Sequence, residues 1–378
     1  YIDLSKRKVT VYEDKKIKIM EVKLEDIDTP FLWVDLDIME DNISSLSSFF
    51  KSKNLNWRPH VKGIKTPEIA QKIINSGAIG VTCAKLSEAE VMVSGGVESI
   101  LIANQIVGSK KIERLCALSN DAEIITAVDD AGVVQMMNQI AQQKSVNLNV
   151  LIEINIGMNR AGITQIKDLL NLCQLIDELD HINFLGFMAW EGHAAGMEDS
   201  PYKREAIDAS MKLLKVALSE CKQKGFHPKI ISGGGSGTYL ICADYGLHTE
   251  IQAGGAVFTD SAYHLWGTLT TPSIFVRSVV TSRPDPSRII TDSGWKSLPC
   301  WVVDPIPKNV DGCNSVRMSS EHGILNLDQE NTDIQPGDFI DFQVGYGDST
   351  VFLHQKLHGV RNGELESTWD IAGRGKVF

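Results

Sequence analysis

The stretch SILIANQIVGSKKIERLCALSNDAEIITAV, residues 99–128, contains the unit that decides the fold. Residues 99–103 form an apolar run that predicts a strand, and residues 110–120 carry apolar side chains at helical spacing. Residues 124–128 again predict a strand. A helix between two such strands is typical of a β–α–β unit, in which the two strands lie parallel in one sheet.

The same alternation continues on both sides of this unit. Further strands are predicted at residues 31–36, 80–83, 150–154, 184–188 and 229–232, and helices at 37–51, 67–76, 87–95, 131–144, 164–179 and 201–225. Asp37 is the expected cap of the first of these helices. The number of cycles favours an α/β fold with a closed (β/α)₈ barrel of the TIM type, and an open doubly wound sheet is the alternative.

After about residue 270 the pattern changes. Short segments typical of strands occur at residues 274–281, 288–291, 339–344, 355–361 and 364–368, and turn sequences such as Pro-Asp-Pro, Asn-Gly and Pro-Gly-Asp separate them. Residues 8–22 also alternate as strands do. We therefore expect a barrel domain at residues 29–270 and a second, mostly antiparallel β domain formed by residues 1–28 and 271–378.

Composition narrows the classes of function. The formal net charge of −11 argues against a nucleic-acid surface, because binding phosphates requires clustered Lys and Arg. The seven cysteines are an odd number and include no C-x-x-C pair, so they predict free thiols in a reducing compartment. No apolar run reaches the roughly 18 residues that a membrane span needs. We expect a cytoplasmic protein with neither a membrane nor a nucleic acid as partner.

A candidate reactive amine lies in the run WRPHVKGIKTP, residues 57–67. A lysine becomes a nucleophile when nearby positive charge or burial favours its neutral form. Lys62 is bracketed in sequence by Arg58, His60 and Lys65, so it is predicted to be such an amine. A solvated basic loop is an equally good interpretation of this run alone.

Three more groups of polar residues follow predicted strands, where a barrel concentrates its chemistry. GMNRAG at residues 157–162 projects Arg160, which suits an anionic partner but is also compatible with a surface loop. SGGGSGTY at residues 232–239 has the glycines and hydroxyls of a phosphate-binding loop without the Walker lysine, or it is a turn. AWEGHA at residues 189–194 brings a tryptophan and a histidine that either face a flat ring or pack in the core.

The ordered set of RPHVK, GMNRAG, EGH, the glycine-rich loop and TEIQAG (residues 249–254) resembles D-threonine aldolases and D-serine dehydratases. The resemblance extends from about residue 29 to the end of the chain. It implies a pyridoxal phosphate enzyme of fold type III, with an alanine racemase-like barrel and a C-terminal β domain. It also implies a homodimer.

The resemblance assigns roles to individual residues. Lys62 looks like the lysine that forms the Schiff base with the cofactor, and Arg160 looks like the arginine that contacts the cofactor ring. The remaining expected cofactor-binding residues are Trp190, Gly234, Gly235, Ser236, Gly237, Thr238 and Gln252. The expected catalytic residues, besides Lys62, are His60, His193 and Tyr346.

Three positions depart from the pattern of the family. Lys62 is followed by Gly-Ile-Lys where the family usually has Thr-His-Lys, and Trp190 stands where a tyrosine is usual. Tyr346-Gly347-Asp348 stands where the family has a His-x-Cys or His-x-Asp pair that binds a divalent metal. Asp348 is therefore the remaining candidate ligand for Mn²⁺, Mg²⁺ or Zn²⁺, zinc being weakened by the missing imidazole. The alternatives are that His354 and His358 substitute, or that no metal binds.

The expected activity is that of a lyase acting on β-hydroxy-D-amino acids, a small-molecule substrate. The favoured reaction is retro-aldol cleavage to glycine and an aldehyde. A dehydratase of the D-serine or 3-hydroxyaspartate type, a racemase that uses Tyr346 and Lys62 as opposed bases, and a non-catalytic pyridoxal phosphate-binding protein are the alternatives.

Overall fold

The computed structural model describes residues 2–3, 8–13, 16–21 and 23–378, and in the first three segments it describes the backbone strands alone. These strands are β1 (Ile2–Asp3), β2 (Lys8–Glu13) and β3 (Lys16–Glu21), which pair antiparallel with one another. The strand pattern predicted at residues 8–22 is thus confirmed for β2 and β3, while residues 14, 15 and 22 lie outside the described residues.

The other elements include all the predicted strands and helices, together with further, mostly short ones that were not predicted. The strands are β4 (Phe31–Asp35), β5 (Asn56–Trp57), β6 (Val81–Cys83), β7 (Ser99–Gln105), β8 (Glu123–Val128), β9 (Leu148–Glu153), β10 (Ile182–Ala189), β11 (Ile230–Gly233), β12 (Glu250–Ile251), β13 (Ile274–Asp285), β14 (Arg288–Thr291), β15 (Ile306–Pro307), β16 (Cys313–Met318), β17 (Gly323–Leu327), β18 (Phe339–Gln343), β19 (Lys356–Arg361) and β20 (Glu364–Asp370). The helices are α1 (Leu36–Ser52), α2 (Pro67–Asn75), α3 (Leu86–Ser94), α4 (Ser109–Leu118), α5 (Ala131–Lys144), α6 (Ile166–Asp177), α7 (Gly192–Ala195), α8 (Pro201–Gln223), α9 (Tyr239–Cys242), α10 (Ser261–Leu265) and α11 (Gly347–Thr350).

Eight parallel strands form the predicted barrel. Their order is β5-β12-β11-β10-β9-β8-β7-β6. The two ends of this sheet meet at a parallel bridge between His60 and Thr82, where the Thr82 N–H donates to the Pro59 carbonyl at 2.8 Å. The interior is filled by side chains such as Leu101, Ile125 and Leu151. The closed barrel is therefore confirmed, and the open sheet is excluded.

The first predicted strand belongs to the second sheet rather than to the barrel. β4 pairs antiparallel with β13 and parallel with β19, inside the order β16-β17-β14-β13-β4-β19-β20, with β18 beside β13. Trp33 of β4 stacks on Phe275 of β13 with ring centroids 4.6 Å apart. The contacts that select this partner are distant in sequence, so local periodicity does not show them. The predicted division at residues 29–270 and 271–378 stays a prediction.

The cap of α1 differs from the expected one. Asp35, not Asp37, accepts a hydrogen bond from the Ile38 N–H at 3.0 Å, because the helix begins at Leu36. Asp37 instead forms an ion pair with Arg361. Among the helices of residues 23–378, none has both the length and the apolar character that crossing a bilayer requires.

Candidate active site

A cavity of about 300 Å³ opens where the carboxyl ends of the barrel strands converge. The structure brings most of the residues singled out from the sequence to its wall. Those that line it are His60, Lys62, Arg160, Trp190, Gly234, Gly235, Ser236 and Gln252. Gly237 and Thr238 belong to the same glycine-rich loop but are not among the residues that line the cavity. The roles of these residues stay predictions.

Lys62 lies on a single 3₁₀ turn that follows β5. His60 caps this turn, and its Nδ1 accepts a hydrogen bond from the Lys62 N–H at 3.3 Å. Burial, followed by the charge of Lys62, lowers the pKa of His60 to about 3. His60 is therefore neutral at physiological pH and holds the turn as a hydrogen-bond acceptor.

The cations that bracket Lys62 in the sequence do not surround it in the structure. Arg58 points to the opposite end of β5, where it forms a buried ion pair with Glu250 at 3.1 Å, and Lys65 is paired with the buried Glu88. The partner of Lys62 is an anion, because its Nζ lies 3.0 Å from Oδ2 of Asp348. The sequence interpretation was wrong on this point, since each neighbouring cation has its own carboxylate.

Asp348 is the centre of a hydrogen-bonded cluster. Besides Lys62, its Oδ2 accepts from the hydroxyl of Tyr346 at 2.8 Å and from the hydroxyl of Tyr263 at 3.3 Å. Burial alone would raise the pKa of Asp348, but the charge of Lys62 and the bonds from Lys62 and Tyr346 outweigh it and hold that pKa below its usual range. The carboxylate is therefore ionised.

The two phenols of this cluster are donors. Burial, reinforced by the charge of Asp348, raises the pKa of Tyr346 and of Tyr263 well above the usual range of a tyrosine. Both hydroxyls therefore keep their protons. Asp260 fixes the frame around them, because its carboxyl oxygens accept from the N–H of Tyr263 at 2.8 Å and from the N–H of Gly347. Burial raises the pKa of Asp260 to about 8. Sequence reasoning missed Tyr263 and Asp260, which belong to no motif.

The glycine-rich loop after β11 has the backbone geometry expected of an anion-binding loop. Gly234 has a φ of +67°, which favours glycine, and the Gly235 N–H donates to Thr238 Oγ1 at 3.0 Å. Ser236 Oγ accepts from the Ala256 N–H at 2.9 Å, which joins the loop to the next turn. Within the described part of the chain, the N–H groups of Ser236 and Gly255 have no acceptor. Such free N–H groups in glycine-rich turns bind phosphate.

The buried carboxylate of Glu191 is hydrogen-bonded to this loop. Glu191 is fully buried, and its Oε1 accepts a hydrogen bond from the hydroxyl of Thr238. Its Oε2 has no hydrogen-bond partner in residues 23–378. Glu191 is part of the EGH turn, but the sequence drew attention to His193 rather than to this carboxylate.

Trp190 lies between two cations. The Arg160 guanidinium carbon is 5.0 Å from the Trp190 ring centroid, and Lys62 Nζ is 5.8 Å from it. Arg160 also lies 3.7 Å from Oε1 of Glu153. Gln252 donates to Ser232 Oγ at 2.9 Å and so ties β12 to β11 beside the cavity.

His193 lies apart from this arrangement. It is exposed on the short helix α7 and is the nearest side chain to Gly157, whose Cβ, if present, would meet the His193 ring. It does not belong to the described residues that line the cavity. Its catalytic role stays a prediction.

The residues at the expected metal position do not fit a divalent ion. No group of three or more His, Cys, Asp or Glu residues with suitable geometry occurs in residues 23–378. His354 Nε2 contacts the Ser297 carbonyl at 2.7 Å, and His358 Nδ1 contacts Thr368 Oγ1 at 3.0 Å. Asp348 remains as a candidate ligand, but its neighbours are Lys62 and the hydroxyl groups of Tyr346 and Tyr263.

The cavity does fit pyridoxal phosphate. A phosphate ester needs free N–H donors, which the Gly234–Thr238 loop and the Gly254–Gly255 turn provide, and an aldehyde needs a primary amine, which Lys62 provides. Barrel, lysine, anion cradle and adjoining β sheet together define an enzyme of the alanine racemase-like fold.

Comparison with known proteins agrees with this assignment. The alanine racemase N-terminal domain matches residues 34–262, and the putative serine dehydratase domain matches residues 273–360. D-threonine aldolase of Arthrobacter sp is 31% identical over 353 residues, covering 92% of this chain and 93% of that protein. 3-hydroxy-D-aspartate aldolase of Paracoccus denitrificans is 28% identical over 369 residues, covering 93% and 94%.

The crystal structure of D-threonine aldolase from Filomicrobium marinum superposes with a TM-score of 0.91 at 30% identity, covering 94% of this chain and 98% of that one. The chain therefore belongs to the family of D-threonine aldolases and D-serine dehydratases, and the resemblance inferred from the motifs is confirmed. Members of this family are lyases that depend on pyridoxal phosphate.

Proposed function

We propose that this protein binds pyridoxal phosphate and cleaves β-hydroxy-D-amino acids by a retro-aldol reaction, releasing glycine and an aldehyde. The observation that carries this proposal is the ionised carboxylate of Asp348, 3.0 Å from the amine of Lys62. A retro-aldol reaction needs a base for the β-hydroxyl proton close to the amine that anchors the cofactor. Asp348 meets both requirements. Its support in sequence is the 31% identity to a D-threonine aldolase.

When bound, the cofactor supplies an electron sink for the electron pair left on Cα. Lys62 is the amine that holds the cofactor's aldehyde, and the Gly234–Thr238 loop holds its phosphate. Lys62 would be released from the cofactor when the substrate amine takes its place, and its amine would then lie beside Asp348 Oδ2 again. Asp348 would take the proton of the substrate hydroxyl as the C–O bond becomes a carbonyl and the Cα–Cβ bond breaks, and a proton delivered to Cα would complete glycine.

Tyr346 and Tyr263 stabilise the charged form of Asp348. Both donate hydrogen bonds to the carboxylate, which is the form that accepts a proton. A dehydratase needs an acid that helps hydroxide to leave, and an ionised carboxylate is a poor acid. A racemase needs a second base, and the hydroxyl of Tyr346 is already committed as a donor. Both alternatives are therefore disfavoured.

The charges around the cavity favour a substrate with an uncharged side chain. The described residues that line it include one lysine, Lys62, and one arginine, Arg160. Lys62 is paired with Asp348, so Arg160 is left to face the α-carboxylate of the substrate. A second substrate carboxylate, as in 3-hydroxy-D-aspartate, would be buried without a cation of its own, which is costly. We therefore place D-threonine and β-hydroxy-D-amino acids with apolar side chains ahead of 3-hydroxy-D-aspartate.

The test uses protein reconstituted with pyridoxal phosphate and incubated with a panel of β-hydroxy-D-amino acids. Glycine and aldehyde are measured separately from keto acid and ammonia. Aldehyde formation that is lost in Lys62→Ala supports the proposal. Keto acid as the main product would make the protein a dehydratase, and turnover of neither kind, with no racemisation, would make it a non-catalytic binding protein.

We further propose that the protein is a cytoplasmic homodimer and that its domains divide at residues 29–270 and at 1–28 with 271–378. The homodimer follows from the family resemblance, and light scattering coupled to gel filtration tests it. The reducing compartment is supported by the cysteines, since none of the seven is paired in a disulfide.

A further inference from the structure

We propose that the cluster of Tyr263, Tyr346, Asp348 and Lys62 replaces a metal centre, so that this protein performs its reaction without a divalent cation. The proposal rests on the retro-aldol function proposed above. It goes beyond that function because it states which group, a metal ion or a carboxylate, promotes removal of the proton from the substrate hydroxyl.

One oxygen of Asp348 already has three hydrogen-bond donors. Its Oδ2 already accepts from Lys62 Nζ at 3.0 Å, Tyr346 Oη at 2.8 Å and Tyr263 Oη at 3.3 Å. A metal ion bound to this oxygen would have to displace these donors. In the cofactor-free protein it would also lie next to the Lys62 amine, and in the loaded protein it would still have to displace the hydroxyls of Tyr346 and Tyr263.

The other oxygen of Asp348 packs against the turn that carries Lys62. Asp348 Oδ1 occupies the space that a Cβ atom on Gly63 would fill. This oxygen therefore packs against the backbone of the lysine turn, and it faces neither open cavity nor a second ligand. The carboxylate as a whole is held toward Lys62, which is the position of a base and not that of an outward-facing ligand.

The residues near Asp348 that could be further metal ligands have other partners. A tyrosine binds a metal as a phenolate, but the hydroxyl of Tyr346 donates to Asp348 and so keeps its proton. His354 and His358, the nearest imidazoles in sequence, are occupied by Ser297 and Thr368 and are almost fully buried. One carboxylate without a nitrogen ligand is a weak site for zinc or manganese.

The cluster can take over the task of a metal ion, which is to prevent a costly negative charge on the substrate oxygen. A metal lowers the energy of a developing oxyanion by placing positive charge beside it. Here two phenolic donors hold the carboxylate ionised, and the carboxylate accepts the hydroxyl proton outright. No net charge then has to develop on the substrate oxygen, because the proton leaves as the carbonyl forms.

The experiment compares one preparation with and without metal. Protein loaded with pyridoxal phosphate is dialysed against EDTA, its metal content is measured by plasma mass spectrometry, and kcat/KM for aldehyde release is measured with and without Mn²⁺, Mg²⁺ or Zn²⁺. We expect far less than one ion per subunit, and a change in kcat/KM of less than about twofold on adding any of the three ions. A stoichiometric ion, or a loss of more than about tenfold that Mn²⁺ restores, overturns the proposal.

Calorimetric titration of each ion into the wild type and into Asp348→Asn separates this proposal from the proposed function. If no substrate yields aldehyde under any condition, the retro-aldol function has failed, yet the titration still decides the metal question. Binding of an ion to the wild type that disappears in Asp348→Asn overturns the metal-free cluster. Absence of such binding supports it.

Discussion

Asp348 Oδ1 lies in the space that a Cβ atom on Gly63 would need, so the identity of the residue after Lys62 decides where the carboxylate stands. The family usually has threonine at that place, and this chain has glycine. Gly63 leaves the space that Oδ1 occupies, and Tyr346, which stands where the family has a histidine, donates to Oδ2 of the same carboxylate. The two departures therefore act on one side chain.

Gly63→Ala is expected to push Asp348 away from Lys62 and to lower kcat/KM for aldehyde release by about two orders of magnitude, the range of a lost general base. The backbone of Gly63 lies in a 3₁₀ turn and has no positive φ, so alanine is tolerated there by the backbone itself. Gly196→Ala is the matched control, because its Cβ would meet Trp266 at an ordinary 3.7 Å. Equal activity of the two variants would show that the Gly63 contact is irrelevant to catalysis.

Asp348→Asn is expected to keep the shape of the cluster and to remove its charge. We expect kcat to fall by about 10²–10⁴-fold, because an amide cannot accept the hydroxyl proton. Binding of pyridoxal phosphate, followed by its absorbance, is expected to persist. A variant that retains more than about a tenth of the wild-type kcat would remove Asp348 from the role of base.

Thr238→Val is expected to weaken binding of pyridoxal phosphate by about tenfold, because the hydroxyl links the Gly235 N–H to the carboxylate of Glu191. Glu191→Gln, which keeps the shape but removes the charge, is expected to act in the same direction. Fluorescence titration of the apoprotein measures the dissociation constant. Thr281→Val is the control, since Thr281 lies exposed in the second sheet. An unchanged dissociation constant in both loop variants would separate Glu191 from cofactor binding.

Local sequence predicted most of the elements because their signals are local. The helix at residues 131–144 begins and ends as predicted, and the strand at residues 288–291 does so too. The error concerns β4, whose partner β13 lies some 240 residues away in sequence, a relationship that periodicity does not encode. The strands β16 and β17 were not predicted, and neither were β5, β12 and β15, which at two residues each are too short to show a periodicity.

The candidate site was predictable where motifs carried it. Lys62, Arg160 and the glycine-rich loop belong to short runs with recognisable spacing, and the structure brings them to one cavity. Tyr263 was not predictable, because a tyrosine in a short helix has no signal until the fold brings it to Asp348. Asp348 was singled out as a candidate metal ligand, but its contact with Lys62 was not predicted, since the two residues lie almost 290 positions apart in the chain.

Arg58→Leu is expected to lower the free energy of unfolding by about 3–5 kcal/mol, because it leaves Glu250 buried without its cation. Both side chains are almost fully buried between β5 and β12, and Arg58 also donates to Ser99 at 2.9 Å. Lys296→Met, which breaks an exposed ion pair with Glu321, is expected to cost less than about 1 kcal/mol. Denaturant unfolding measures both. Equal small losses would mean that the buried pair does not stabilise the barrel.

The stability of the protein is expected to fall in mild acid, in part through His358. Burial, with smaller contributions from Lys356 and His354, lowers the pKa of His358 to about 4 in the folded state, from 6.5 in the unfolded chain. The unfolded chain therefore binds the proton first, so this stabilisation is complete above pH 6.5 and is lost as pH falls toward 4.

Between pH 7 and pH 5 the wild type should lose about 2 kcal/mol more than His358→Gln, at roughly 1.4 kcal/mol per pH unit below the unfolded pKa. Glutamine cannot titrate but can still bond to Thr368, the partner of His358 at 3.0 Å. His60 is buried and unprotonated in both proteins, so its own acid sensitivity cancels in the difference. Parallel curves for the two proteins, measured by urea unfolding at each pH, would mean that His358 takes up its proton in the folded state as readily as in the unfolded one.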